Sequence, residues 1–207
     1  VLSTMTPAGT HPGDVVLEVE GLVVHRGRRL VIGEQEPSGK LRGLTFCLHK
    51  GQLAVLQAPN GWGKTTLLEA IAGVLPMTRG TIRLNGQPVE NLLPYERARL
   101  GMSLLQARNH TFPGLTVREA LRLSHVTDVP ENIRHLLGRR MSDLSGGEKQ
   151  KVAITSALRS PAVILLLDEP FSALDSTGLK DIWKTVKQEG DVASLIAVPS
   201  NVQGGLT

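Results

Sequence analysis

Aromatic and cysteine residues are scarce in this chain of 207 residues. Phe, Trp and Tyr make up only 3% of it, too few for the stacked faces with which proteins hold single-stranded nucleic acid, so we expect no nucleic-acid partner. Cys47 is the one cysteine, which excludes an intrachain disulfide and a cysteine-based metal cluster. A single thiol favours a reducing compartment, and we therefore expect a cytoplasmic protein.

Long apolar runs are also missing. The longest, residues 162–167, is far shorter than the roughly 20 apolar residues that a membrane-spanning helix needs. Pro and Gly interrupt residues 1–13, which predict a flexible tail and lack the pattern of a signal peptide. With 41% hydrophobic residues the chain can bury a core, and its length fits a single domain over residues 14–207. The formal net charge of +4 suits phosphate ligands or an anionic membrane surface without identifying either.

Strand and helix patterns alternate beyond the tail and predict an α/β layered fold. Residues 15–24 alternate apolar and polar side chains and, together with residues 44–49, predict an antiparallel sheet on the N-terminal side. Residues 107–158 carry helical patterns without strand character and predict an inserted helical subdomain. The other predicted elements are strands at 53–57, 81–84, 101–106, 163–167 and 194–198 and helices at 64–75, 93–100 and 177–187.

A glycine-rich segment, APNGWGKTT at residues 58–66, lies between a predicted strand and a predicted helix, the context in which such a segment binds phosphate. Its backbone N–H groups and the helix N-terminus would surround a β-phosphate. Lys64 would reach the β- and γ-phosphates, Thr65 would ligate Mg²⁺, and Thr66 would donate to the α-phosphate. The predicted nucleotide contacts in this loop are Asn60, Gly61, Trp62, Gly63, Lys64, Thr65 and Thr66.

The first position of this loop is Ala58 rather than the usual glycine. An alanine with positive φ would be strained, so we expect a negative φ at Ala58 or a slightly reshaped loop. The other interpretation of the segment is an ordinary glycine-rich turn with a surface lysine.

Two acidic residues end the most apolar predicted strand, in the sequence VILLLDEP at residues 163–170. Open α/β sheets bind ligands at this end of their strands, and two carboxylates there would be costly without a cation. Asp168 is suited to hold Mg²⁺ through water, and Glu169 to act as the general base for the water that attacks the γ-phosphate. The alternative is a polar exit from the strand.

The segment LSGGEKQ at residues 144–150 begins another predicted helix. Ser145 and Glu148 match a capping box, which requires no ligand. Two glycines and a hydroxyl at a helix start can also bind an anion. Both interpretations are open on these residues alone.

The order of the three segments, followed by SALD at residues 172–175, resembles the ATP-binding subunit of ABC transporters over about residues 15–200. APNGWGKTT corresponds to the Walker A loop, LSGGEKQ to the signature and VILLLDEP to Walker B. The resemblance implies a P-loop NTPase core of mostly parallel sheet with helices on both faces, an N-terminal antiparallel β subdomain and an inserted helical subdomain. It also implies ATP and Mg²⁺ as ligands.

The resemblance assigns further roles to individual residues. Gln106 would join the Mg²⁺ site to the membrane-spanning partner, and His25 would stack on adenine, although each could be an ordinary surface residue. The signature residues Ser145, Gly146 and Gly147 would bind the γ-phosphate held by a second subunit, in a head-to-tail dimer that encloses two ATP molecules. Asp175 would lie at the seam of that dimer.

The sequence departs from the family at one catalytic position, because Ser200 stands where a histidine usually contacts the γ-phosphate. A serine can donate one hydrogen bond but cannot carry charge.

The implied function is an ATP-hydrolysing motor on the inner face of the cell membrane, attached through permease subunits. The alternative is a hydrolysis-impaired regulatory subunit beside a competent partner. A third class, acting on DNA or ribosomes, is disfavoured because tandem cassettes and a coiled-coil insertion are not visible.

Overall fold

The computed structural model describes residues 2–5, 15–106, 112–170 and 192–200. The strands in these segments are β1 (Leu2–Met5), β2 (Val15–Arg26), β3 (Arg29–Ile32), β4 (Glu34–Gln35), β5 (Leu41–Arg42), β6 (Leu44–His49), β7 (Leu53–Ala58), β8 (Arg79–Leu84), β9 (Gln87–Pro88), β10 (Met102–Leu105), β11 (Ile164–Asp168) and β12 (Ala193–Pro199). The helices are α1 (Lys64–Ile71), α2 (Pro94–Arg99), α3 (Val117–Leu123), α4 (Glu131–Arg134) and α5 (Gly146–Arg159), with a 3-10 helical segment at Met141–Asp143.

The central sheet has the strand order β1-β7-β12-β11-β10. Strands β7, β12, β11 and β10 run parallel, as predicted, and β1 pairs antiparallel with β7. Ala58 at the end of β7 lies opposite Pro199, and Asp168 at the end of β11 lies opposite Ala197. Because parallel strands end at one edge of the sheet, the residues that follow β7, β11 and β12 meet there.

Helices cover both faces of the central sheet, which confirms the predicted layering. Successive strand residues point to opposite faces. Leu56 of β7 therefore belongs to one hydrophobic cluster with Leu67 of α1, whereas Val55 belongs to another with Ile154 and Leu158 of α5. Burial of each such side chain contributes about 1.5 to 3 kcal/mol, and this packing holds α1 against one face of the sheet.

An antiparallel sheet on the N-terminal side is built around the long strand β2, which confirms the predicted β subdomain. Strand β2 pairs with β6 and β8 as far as Leu22 and Val23 and with β3 from Val24 to Arg26, and β9 pairs with β8. The pairing of β2 with β6 contains a register shift between Val19 and Leu22, within the part of the strand that has partners on both sides. The sheet shares a core with α1, since Val24 and Ile82 belong to the same cluster as Leu67.

The helical region has a hydrophobic cluster of its own. Val117 and Leu121 of α3, Ile133 of α4 and Met141 pack together with Val152 of α5. The next residues of α5 pack on the central sheet, so this helix belongs to both cores. The predicted subdomain limits at about residues 107 and 158 stay predictions. Among the described helices, none has both the length and the apolar character of a membrane span.

The structure corrects the sequence-based predictions at two places. Leu2–Met5, predicted as part of a flexible tail, forms an edge strand against β7. The helix predicted at 64–75 ends at Ile71, because Gly73 adopts a left-handed φ of 78° that stops the helix. Residues 6–14 and the helix predicted at 177–187 lie outside the described residues.

Arg97 fastens the end of α1 to the helix that follows it. Its side chain is buried, and its Nη1 donates to Ala70 O at 3.0 Å and to Ile71 O at 2.5 Å. Its Nη2 donates to Glu90 O at 2.9 Å. Burial lowers the pKa of Arg97, and the nearby Glu90 carboxylate opposes that shift. The guanidinium thus supplies a donor to Ile71 O at the end of α1 and a second donor to Ala70 O, which also accepts from Gly73 N at 3.1 Å.

Replacement of this arginine is expected to destabilise the fold. Arg97→Met should lower the free energy of unfolding by about 2 to 4 kcal/mol, because buried carbonyls that lose their donors cost about 1 to 3 kcal/mol each. Urea denaturation measures this change. Arg99→Met is the matched control, since its exposed guanidinium lies 5.5 Å from the Tyr95 ring centre and should cost less than about 1 kcal/mol. Equal stabilities of the two variants would contradict this assignment.

Candidate functional site

The phosphate loop joins β7 to α1, as its sequence predicts. Ala58 is the last residue of β7. It is not one of the described non-glycine residues that have a positive φ, which confirms the expected negative φ. Gly63 precedes the helix with φ 109°, and a Cβ there would lie 2.6 Å from Val31 Cγ1 of the neighbouring β3. Both the backbone angle and the close approach of β3 therefore require glycine at this position.

Lys64 lies at the centre of the loop. Its side chain is buried, and Nζ donates to Ala58 O at 3.0 Å and to Pro59 O at 3.3 Å. The same ammonium forms an ion pair with Glu169 Oε1 at 3.6 Å. The lysine is thus held inside the curve of the loop, where an anion surrounded by the loop would meet its charge.

Thr65 and Asp168 meet across the end of the sheet, 103 residues apart in sequence. The Thr65 hydroxyl donates to Asp168 Oδ2 at 2.7 Å, and the carboxylate is buried. A hydroxyl and a carboxylate side by side are hard oxygen donors, and Mg²⁺ is commonly held by one or two carboxylates together with substrate phosphates. The two residues therefore fit the metal that the sequence predicts.

Glu169 follows Asp168 with an unusual backbone. Its φ of 44° lies in the left-handed region, and its N–H donates to Ala197 O of β12 at 3.0 Å. Such a conformation costs free energy in a non-glycine residue and is concentrated at functional sites. This turn of the backbone lets the two adjacent carboxylates point in different directions. The Asp168 carboxylate points toward Thr65, and the Glu169 carboxylate points toward Lys64.

A cavity of about 520 Å³ opens beside the loop. The lining residues are Arg26, Arg29, Val31, Asn60, Gly61, Gly63, Lys64, Thr65, Thr66 and Glu169. The predicted loop contacts except Trp62 thus line the cavity together with Glu169, and Arg26 and Arg29 of the hairpin of β2 and β3 line it as well. Of the four charged residues in this lining, three are cationic and only Glu169 is anionic, which suits an anionic ligand.

Arg26 was not predicted from the sequence. Its Nε donates to Thr66 Oγ1 at 2.9 Å, and its Nη2 pairs with Glu69 Oε2. His25, the predicted adenine contact, instead hydrogen-bonds Thr78 Oγ1 through Nδ1 at 2.9 Å and does not line the cavity. Neighbours on a strand point to opposite faces, so the sequence indicates that His25 and Arg26 point in opposite directions. Only the packing of β2 against α1 determines which of the two faces the cavity.

Three other predicted residues are not in the lining of the cavity. Trp62 is 41% exposed at the tip of the loop. Gln106 donates through Nε2 to Glu69 Oε1 at 3.4 Å, so its amide lies beside α1, and its predicted role at the Mg²⁺ site stays a prediction. The carbonyl of Ser200, just beyond β12, accepts from Gln57 Nε2 at 3.1 Å, which fixes the backbone of that position next to the loop strand.

The signature segment forms the capping box that its sequence allows. Ser145 Oγ accepts from Glu148 N at 3.3 Å, and Glu148 Oε2 accepts from Ser145 N at 2.8 Å. This backbone hydrogen bond, the largest of several causes, holds the pKa of Glu148 below its usual range. Ser145 and Gly146 are exposed, and Asp175 lies outside the described residues.

Comparison with known proteins identifies relatives along most of the chain. The sequence pattern of the ABC transporter family matches residues 41–172. The chain is 38% identical over 150 residues to a molybdate/tungstate import ATP-binding protein of Thermococcus kodakarensis, covering 65% of this chain and 44% of that protein. It is 34% identical over 187 residues to a hemin import ATP-binding protein of Nocardia farcinica, covering 82% of this chain and 63% of that protein. The chain thus spans less than two thirds of both relatives.

Solved structures show the same fold. One described as an ATP-binding subunit of an ABC transporter superposes with a TM-score of 0.73 at 23% identity, covering 89% of this chain and 79% of that one. A nucleotide-free ATP-binding cassette from an ABC transporter gives a TM-score of 0.72 at 22% identity, with coverages of 88% and 81%. At these identities the likeness establishes the architecture alone.

Proposed function

Since the chain belongs to the ABC transporter family, we propose that it binds Mg-ATP in the cavity beside the phosphate loop and hydrolyses it as the motor of a transporter. The observation that carries this proposal is the meeting of two side-chain pairs at one sheet edge. Thr65 contacts Asp168, and Lys64 contacts Glu169, over sequence separations of more than 100 residues. Neither contact results from pairing between the strands β7 and β11, because β12 lies between them in the sheet.

The residues have distinct roles in this proposal. The loop amides and Lys64 hold the β- and γ-phosphates, while Thr65 and Asp168 hold Mg²⁺. The metal, when bound, neutralises phosphate charge that accumulates during transfer. Glu169, at 31% side-chain exposure, is open enough to accept a proton from an attacking water. Calorimetric titration with Mg-ATP and measurement of phosphate release by the same preparation test binding and hydrolysis separately.

A second ATP-binding subunit completes the site in this proposal. Ser145, Gly146 and Gly147 start α5 on an exposed surface, and a Cβ at Gly146 would meet no atom within 4 Å. The packing of the chain therefore does not explain why a glycine stands there. A γ-phosphate carried by a partner would explain it, since the start of a helix favours an anion and a small residue permits its close approach.

Gly146→Asp is expected to weaken ATP-dependent dimerisation at least about 10-fold, because the new carboxylate would face the γ-phosphate. The chain itself should fold normally, since the site is open and an acidic residue suits a helix start. Light scattering after size-exclusion chromatography, with Glu169→Gln in both proteins to prevent turnover, measures the dimer. Gly138→Asp is the matched control, because a Cβ at Gly138 also meets nothing within 4 Å. Equal dimerisation of the two variants would contradict the proposal that the signature segment lies at the dimer interface.

Membrane permease subunits are the remaining partners in this proposal. A cleft of about 650 Å³ lies between the central sheet and the helical region, and Gln106 is among the residues that line it. It is bordered by the exposed apolar side chain of Val74. A permease segment in this cleft would contact the residue that the family places between the Mg²⁺ site and the membrane partner. The protein would then lie on the inner face of the membrane, held through its permease.

Ser200 favours a second candidate, a regulatory subunit that binds ATP but hydrolyses it poorly. Its backbone is fixed beside the loop strand, and β12 lies between β7 and β11, so this position borders both halves of the site. A serine hydroxyl there cannot carry the charge of a histidine. The two candidates share the nucleotide site and differ in turnover.

A further inference from the structure

We propose that Arg26 is a nucleotide-binding residue whose guanidinium contacts the α-phosphate, in place of the stacking contact expected from His25. This inference rests on the proposed function, because it takes the cavity beside the phosphate loop as the nucleotide site. It adds a contact from the antiparallel sheet to those supplied by the loop and by the end of β11.

The direction of the two side chains is set by the strand that carries them. His25 and Arg26 are the last residues of β2, and consecutive strand residues point to opposite faces. The imidazole of His25 is bound to Thr78 on one side. The guanidinium of Arg26 lies on the other, among the residues that line the cavity. The strand therefore presents an arginine, and not an aromatic ring, to the nucleotide.

The position of the guanidinium points to the phosphate end of the ligand. Its Nε lies 2.9 Å from Thr66 Oγ1, in the first turn of α1. Thr66 is the loop residue expected to donate to the α-phosphate, so a phosphate oxygen bound by that hydroxyl would lie within reach of Arg26. The side chain is 49% exposed, which leaves one side of the guanidinium open toward the cavity.

The chemistry of the group matches a phosphate. A guanidinium carries five N–H donors in a planar fork, and the bonds to Thr66 and Glu69 use two of them. Charge-assisted hydrogen bonds from arginine to phosphate are about twice as strong as neutral ones. Glu69 holds the guanidinium in place but also neutralises it, so this carboxylate competes with the phosphate for the same donors.

Calorimetric titration of the full chain with Mg-ATP and Mg-ADP tests this contact. Arg26→Ala should weaken the binding of both nucleotides about 10- to 100-fold, the loss expected for a charge-assisted hydrogen bond. Arg26→Lys should retain part of the affinity, since it keeps the charge but not the fork. Arg28→Ala is the matched control from the same turn, exposed and outside the cavity lining, and should bind like the wild type.

The variant Glu69→Gln distinguishes two roles for Arg26, a contact with the nucleotide and an ion pair that only supports the fold. It removes the competing charge and leaves Arg26 available, so binding should be at least as tight as in the wild type. If the ion pair merely supports the fold, Glu69→Gln should weaken binding as much as Arg26→Ala, and that result would overturn the inference. Thermal unfolding of each variant identifies any loss caused by misfolding.

Three further outcomes of these titrations would each overturn part of the proposal. Full recovery of affinity in Arg26→Tyr would show that position 26 stacks on the base and would overturn the phosphate contact. Unchanged affinity in Arg26→Ala, with wild-type binding intact, would overturn this inference and leave the proposed function standing. Failure of the wild type itself to bind Mg-ATP would overturn both.

Discussion

Glu169→Gln is expected to lower the turnover of Mg-ATP by about 10² to 10⁴, the usual contribution of a general base, while ATP still binds. The amide keeps the shape of the side chain at the end of β11 but cannot accept a proton from water. It also removes the ion pair with Lys64, so the lysine keeps its full charge for the phosphates. Phosphate release at saturating Mg-ATP measures turnover, and calorimetry measures binding.

The comparison with the wild type also separates the two candidate functions. A large difference in rate supports the motor, whereas equally low rates in both proteins would favour the regulatory subunit with Ser200 in place of a histidine. Glu131→Gln provides a matched control, because this glutamate is 82% exposed on α4, outside the cavity lining, and should leave turnover unchanged. A rapid rate in Glu169→Gln would mean that another group activates the water.

Lys64→Ala is expected to abolish measurable ATP binding, with a loss of more than about 100-fold. The ammonium is the buried cation at the centre of the phosphate loop, and its removal leaves the Glu169 carboxylate facing the phosphates without compensation. The loss should extend to Mg-ADP, which shares the β-phosphate. Calorimetry with both nucleotides measures the effect.

The same substitution removes two hydrogen bonds within the loop, from Nζ to Ala58 O and Pro59 O. Thermal unfolding must therefore accompany the binding measurement. Lys40→Ala, at an exposed position outside the cavity lining, is the control for the simple loss of one positive charge. ATP binding by a folded Lys64→Ala protein at wild-type affinity would refute the phosphate-loop assignment.

Most of the site could be predicted from sequence because its parts are local. A strand, a glycine-rich turn and a helix start are set by consecutive residues, so residues 58–66 were placed correctly. The pair of acids at the end of β11 was predicted in the same way, since a continuous apolar run indicates a strand buried on both faces. The meeting of these two segments was inferred from the resemblance, and the bond between Thr65 and Asp168 agrees with it.

The contacts around this site were less predictable because they join distant segments. Arg26, Glu69 and Gln106 are connected by hydrogen bonds across sequence separations of 37 to 43 residues. No periodicity encodes such a chain of contacts, since it depends on how β2, α1 and the end of β10 pack. The edge strand at Leu2–Met5 was missed for a related reason, because its pairing is determined by the exposed edge of β7.

The sequence by itself determined the order of the elements, the phosphate loop, the two acids after β11 and the capped helix start at Ser145, since each depends on neighbouring residues. The tertiary structure alone decided that Arg26 faces the cavity in place of His25, that Gln106 lies against Glu69, and that Arg97 closes the end of α1. Those choices arise from the packing of the antiparallel sheet and α2 against α1, where burial and hydrogen bonding act between segments far apart in the chain.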